Sequence, residues 1–193
     1  MRRLFVEARN LFARLLHSTS GVAAVEFALV VPIMLAVYVG CAEAASLLTV
    51  DRKVQSVAGA VGDLVARSNQ SLTRSQMEDY FRAATSIMTP YDITGLTQTV
   101  TAVTVNDEGE ASVLWSVSFA DGVYSSTVAE HPVGSEFDLP EEMAAIALGQ
   151  TVIAAEADYD YTALLGIVYR NAIELNRSGF YMPRFGGEIQ ITS

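Results

Sequence analysis

Twenty consecutive residues, Val22 to Cys41, carry a single charge, Glu26, and nothing else in the chain limits its fold so strongly. Coiled as an α-helix at ~1.5 Å of rise per residue, such a run reaches ~30 Å and crosses the hydrocarbon core of a bilayer. The charges on either side of it are unequal. Arg2, Arg3, Arg9 and Arg14 stand against Glu7 alone, so residues 1–21 carry +3 of a total of −10 and the remaining residues carry −13. A basic start and an acidic body are what a chain has when its start stays in the cytoplasm and its body is exported. An acidic body also repels phosphates, which argues against a nucleic-acid partner.

Three kinds of N-terminal signal fit an apolar run preceded by arginines. A secretory signal peptide would be cut near Ala42 or Ala44, but the helical pattern continues beyond both. A lipoprotein site would modify Cys41, with Gly40 suitable before it and Tyr38 bulky where an aliphatic residue is expected. The third signal is cut on the cytoplasmic side, between Gly21 and Val22, and it accounts for Glu26. A carboxylate in a membrane helix costs about 2.5–3.5 kcal/mol or more on insertion scales. Cleavage after Gly21 would make Glu26 the fifth residue of the mature chain and Phe27 the sixth. The new amino group of one subunit could then neutralise Glu26 of a neighbour and fix the axial register between them. The alternative is a glutamate near the cytoplasmic headgroups with no partner. Pro32 removes one backbone N–H, and either a functional kink or a tolerated membrane proline fits it. Glu43 falls just past the apolar run, at the outer interface, and Cys41 reads as a small buried thiol.

Gly21 followed by Val-Ala-Ala-Val-Glu-Phe, and then Ala-Leu-Val-Val-Pro to Pro32, resembles the TadE-like family of pseudopilins of tight-adherence (Tad) pili. The resemblance implies a basic leader, residues 1–21, removed by a prepilin peptidase at Gly21–Val22. It assigns helix pairing to Glu26 and Phe27. It also implies partners: other pilins through the N-terminal helix, an inner-membrane assembly platform and a secretion ATPase. Glu156-x-x-Tyr159-x-Tyr161 and Met182-Pro183-Arg184 match the C-terminal part of such proteins more loosely.

The rest of the chain reads as an α+β, pilin-like body. Val50, Val54, Val57, Ala58, Val61, Leu64 and Val65 fall at helical spacing, so one helix should run over 22–68, with the membrane span at about 22–45. An extracytoplasmic head should occupy 69–193. Thr73-x-x-Gln76 is a capping box opening a second helix with Met77, Tyr80, Phe81, Ala84, Ile87 and Met88 on one face, stopped near Pro90. Thr97–Val105 and Ala111–Ala120 form a hairpin, with Val113, Trp115, Val117 and Phe119 on one face. Its acidic turn, 106–110, reads as solvated, although oxygens there would suit Ca²⁺. Residues 121–139 read as loop and Pro140–Leu148 as a short helix. Thr151–Tyr161 is a strand with Ile153, Ala155, Ala157, Tyr159 and Tyr161 on one side and Glu156, Asp158 and Asp160 on a solvent side. A short helix or a fourth strand both fit 164–180.

One cysteine excludes an internal disulfide, and His17 and His131 have no nucleophile near them in sequence. Phosphate-loop, dinucleotide, zinc-protease and nucleophile-elbow motifs are missing from the sequence. The expectation is therefore a structural subunit with no catalytic residue, metal or cofactor. It would be a single-pass protein of the bacterial inner membrane, cytoplasmic at its N-terminus and periplasmic at its head, able to enter a pilus. A membrane-anchored periplasmic binding or sensor module, never cut at Gly21, is the alternative. An exported hydrolase using Glu156, Asp158 or Asp160, as glycosidases use paired carboxylates, is a third class.

Overall fold

The structure, a computed structural model, describes residues 20–192, so most of the basic leader expected over 1–21 lies outside the described residues. The architecture is α+β, with a long N-terminal helix, α1 (Ser20–Ala66), followed by short helices and a small antiparallel sheet. By compactness the chain divides between Ala45 and Ser46.

Residues 20–45 are the first half of α1. From Gly21 to Val30 every side chain is exposed, and apolar exposure continues through Ile33, Met34, Leu35, Val37 and Tyr38. An apolar helix greasy on all sides cannot pick a face to bury in water, which is the pattern of a helix surrounded by lipid or by other helices. α1 runs through Pro32 unbroken, so the carbonyl of Ala28 loses its intrahelical donor there. Cys41, expected as a buried thiol, is exposed, because it lies on a side of the helix that is left uncovered while Glu43, two residues on, is buried.

Residues 46–192 form the head. Here α1 becomes one-sided, with Val50, Val54, Val57, Ala58, Val61 and Val65 buried at helical spacing. They pack on one face of a five-stranded antiparallel sheet built from β2 (Thr97–Val105), β3 (Ala111–Ala120), β4 (Val123–Ser125), β5 (Thr151–Tyr161) and β6 (Ile173–Tyr181). Across the sheet the strands run in the order β4-β3-β2-β5-β6. Two short strands, β1 (Ser71–Thr73) and β7 (Gln190–Thr192), pair in parallel as a separate ladder. Helix α2 (Arg74–Thr85) opens on the expected capping box: Gln76 N donates to Thr73 Oγ1 at 3.2 Å and Thr73 N to Gln76 Oε1 at 2.9 Å. Thr73→Ala should therefore lower head stability by ~0.5–2 kcal/mol, seen as a lower thermal midpoint with an unchanged fold. α2 adds Met77, Phe81 and Ala84 to the core, with the Phe81 ring stacked on Phe119 at 5.5 Å. Lys53 of α1 donates to the carbonyls of Ile87 (2.6 Å) and Thr89 (2.9 Å), satisfying acceptors that the turn after α2 leaves open.

The two faces of the sheet carry separate cores. Ile153, Ala155, Ala157, Tyr159 and Tyr161 of β5 face α1, as their alternation indicates. Behind the sheet, Val103, Val105, Val152 and Ala154 pack with Phe137 and with Ala147, which follows α3 (Glu141–Ile146). The one-face reading of β3 is corrected by a bulge. Ala102 pairs with Trp115 but Val103 pairs with Val113, leaving Leu114 as an extra residue. The extra residue reverses the alternation, so Val113 lies in the rear core while Trp115, Val117 and Phe119 side with α1. Residues 121–139 are not all loop either, since β4 extends the sheet and Ser112 bridges to Glu136.

At Gly62 α1 lies directly against the sheet. A Cβ there would sink into the Tyr181 ring and come within 2.9 Å of the Ala155 methyl. Gly59 lies under the hydroxyl of the same tyrosine.

Candidate functional site

The candidate site is the first two turns of the described part of α1. Gly21, Val22, Glu26 and Phe27 are all helical and exposed, Val22 by 58% and Phe27 by 70%. Val22 and Glu26 are four residues apart, which stacks them on one face a single turn from each other. A helix beginning at Val22 would bring both its amino charge and its dipole within a turn of that carboxylate. Glu26 is the one acidic or basic residue from Gly21 to Ala42, and it stands in an exposed apolar surface. Gly21 has nothing within 4 Å of the place a Cβ would occupy. Neither packing nor backbone conformation in this helix asks for glycine there, and a helical glycine costs about 1 kcal/mol relative to alanine. The residue is thus one that folding does not explain. Glu43, read from the sequence as interfacial, is 4% exposed and engaged with a partner group.

The carboxylate row of β5 is the other cluster with possible chemistry. Its face is only partly solvent. His131, on the segment between β4 and α3, lies with Nε2 at 2.9 Å from Glu156 Oε2 and its ring at 5.0 Å from Phe137. Asn176 of β6 donates to Asp158, and Asp160 is exposed. Burial pushes the Asp158 carboxyl above the ordinary 3.8, and Glu130, Glu174 and Asp160 push the same way against the hydrogen bond of Asn176. Glu156 thus pins a strap to the sheet and Asp158 joins two strands. The His131–Glu156 pair spans 25 residues, and no spacing pattern in the sequence signals it. In the acidic turn, Asn106 Oδ1 accepts from the backbone of Glu108 (3.1 Å) and Glu110 (2.8 Å), and the turn closes on itself. Among the described residues no cluster of histidine, cysteine and carboxylate is arranged to hold a metal.

The Asp158 environment sets a pH-dependent expectation. A carboxyl whose folded value is raised costs stability once ionised, so the cost is absent below 3.8 and full above the folded value. Asp158→Asn keeps an acceptor for Asn176 and removes the charge. It should raise the thermal midpoint at neutral pH, and the gain should vanish in scans taken below 3.8.

α1 is long and apolar enough to cross a membrane, judged by length and composition. Residues 21–62 match the family model described as TadE-like protein, a span that begins at Gly21 and includes Glu26, Phe27 and Pro32. No curated protein and no solved structure matches the chain.

Proposed function

We propose that this chain, whose residues 21–62 match the TadE-like family model, is a minor pilin of a Tad-type pilus that takes part in pilus assembly and hence in adherence. It acts as a structural subunit and not as an enzyme. A prepilin peptidase cuts between Gly21 and Val22, the head remains on the periplasmic side, and other pilins together with the inner-membrane assembly platform engage the first half of α1. The observation that carries this reading is an apolar helical stretch, exposed throughout from Gly21 to Val30 and interrupted by one carboxylate, about one and a half turns from a glycine that packing does not require. An anchor that merely tethers a sensor has no use for either residue. Glu26 lowers the affinity of the span for lipid, and Gly21 lowers helix stability.

Gly21→Leu separates this reading from that of an uncut anchor. The substitution meets no steric obstacle, so folding and insertion should be unchanged. In cells with an active prepilin peptidase, intact mass should show the wild-type chain beginning at Val22 and the variant retained as the full-length precursor. A wild-type chain that still carries residues 1–21 would overturn the assignment.

A further inference from the structure

We propose that a cavity at one end of the head's sheet binds a small apolar α-amino acid, with its carboxylate on Arg82, its ammonium on Asp121 and its side chain on Ile93, Leu96 and Phe119. The cavity lies wholly within the head, so the inference depends on neither cleavage nor pilus assembly.

The cavity has a volume of about 260 Å³ and is walled from three directions. Arg82 and Thr85 of α2 form one wall, Ile93 and Leu96 ahead of β2 the second, and Phe119, Asp121 and Gly122 at the end of β3 the third. Bonds outside the cavity hold each wall in place, so the site is preformed. Thr85 Oγ1 accepts from Gln98 Nε2 at 2.7 Å and donates to the Phe81 carbonyl at 2.8 Å. In the second wall, Leu96 N donates to the Ile93 carbonyl at 3.0 Å, and the Tyr159 hydroxyl donates to the Asp92 carbonyl at 3.0 Å. In the third, the Phe119 ring is stacked on Phe81. Asp121 (φ 49°) and Gly122 (φ 80°) turn the chain between Ala120 and Val123, which pair across β3 and β4.

The lining selects a ligand by what it leaves unsatisfied. Leu96 and Phe119 are buried and Ile93 is 46% exposed, so the greater part of the lining is apolar. Thr85 already both donates and accepts, which leaves Arg82 and Asp121 as the polar side chains able to meet a ligand. Arg82 Nη2 stands 3.6 Å from Glu78, a carboxylate that Arg74 holds more closely at 3.0 Å. Asp121 Oδ1 accepts a long bond of 3.4 Å from Gly95 N. An anion alone would be repelled by Asp121 and a cation alone by Arg82. A ligand that satisfies both carries one charge of each sign beside an apolar group, and an α-amino acid is the smallest molecule with that arrangement. Its carboxylate suits the two parallel N–H donors of a guanidinium. Pockets for drug-sized ligands run to roughly 300–1,000 Å³, so a cavity below that range suits a single amino acid. Both charged residues are exposed, which keeps each ion pair weak and sets the expected Kd at about 0.1–1 mM.

The test is calorimetric titration of the full-length chain in detergent micelles, with empty micelles as the blank. L-leucine or L-phenylalanine should bind one to one. Glycine keeps both charges without a side chain, N-acetyl-L-leucine lacks the ammonium and L-leucinamide lacks the carboxylate; each should bind tenfold more weakly or worse. Arg82→Ala should lower the affinity for leucine several-fold or more. Asp121→Asn should do the same, since asparagine keeps the left-handed turn and loses the charge. The fluorescence of Trp115, the single tryptophan, checks that both variants remain folded. No binding of either amino acid overturns the inference, as does unchanged affinity in both folded variants. Doubly capped N-acetyl-L-leucinamide binding as tightly as leucine also overturns it, because the cavity then takes an apolar side chain without reading charge.

Discussion

Replacing Glu26 by alanine is expected to leave the chain in the membrane and to remove it from the assembly. The carboxylate is exposed one turn below the proposed new amino terminus, in a surface otherwise composed of apolar side chains. Alone in lipid it opposes insertion, by about 2.5–3.5 kcal/mol for an acid at the centre of a span and by less near the headgroups. Paired with the amino group of an adjacent subunit it becomes an attractive contact in a medium that screens charge poorly. Alanine removes the cost and the contact together. Membrane fractionation should show Glu26→Ala inserted as well as wild type or better. Cross-linking to neighbouring pilins, and recovery in sheared pili, should fall several-fold or more. Glu26→Gln should fail in the same way, because it keeps the shape and loses the charge. Wild-type recovery of either variant in pili would remove the pairing role.

Gly62→Leu should lower the stability of the head substantially. The new side chain would need the volume already held by the Tyr181 ring and the Ala155 methyl. Overpacking of this kind costs ~1–3 kcal/mol, which for a head of this size lowers the thermal midpoint by roughly 2–12 °C. Gly62→Ala is milder, since relief of about 1 kcal/mol of helix propensity offsets part of the clash. Adding Tyr181→Ala to Gly62→Ala should recover most of the loss, whereas the two would add if the sites were independent. Trp115, the single tryptophan, lies in the sheet with Nε1 donating to the Ile189 carbonyl at 2.6 Å and reports the transition by fluorescence. A midpoint unchanged in Gly62→Leu would mean that α1 can stand further from the sheet than the structure places it.

What could be read directly from the sequence was local. The capping box of α2 needs only Thr73 and Gln76, and the facing of β5 needs only its alternation. Both are fixed by residues within a few positions of each other. The bulge at Leu114 is different, because no residue type marks it and it exists only in the pairing with β2. The strand at 173–181 was ambiguous for a related reason. Asn176, Arg177 and Gly179 give it little strand character of their own, and it is held by nine pairings with β5. Gly62 carried no signal, since a glycine in a helical pattern looks the same whether a ring lies over it or water does. At the candidate site the residues were legible because the membrane makes them so: a charge in an apolar run stands out without any tertiary information. His131 and Glu156 were opaque because their meeting depends on how the strap crosses the sheet.

The clasp formed by β1 and β7 bears on how the head matures. Gln190–Thr192 align with Ser71–Thr73, Trp115 holds Ile189, and Arg184 reaches Asp63 at 2.7 Å. The residues nearest the end of the described chain therefore seal the place where α1 hands over to the rest of the head. The two halves of this clasp stand far apart in the chain, so the head closes only when both are present, and a head that lacked Gln190–Thr192 would leave Ser71–Thr73 as an unpaired edge.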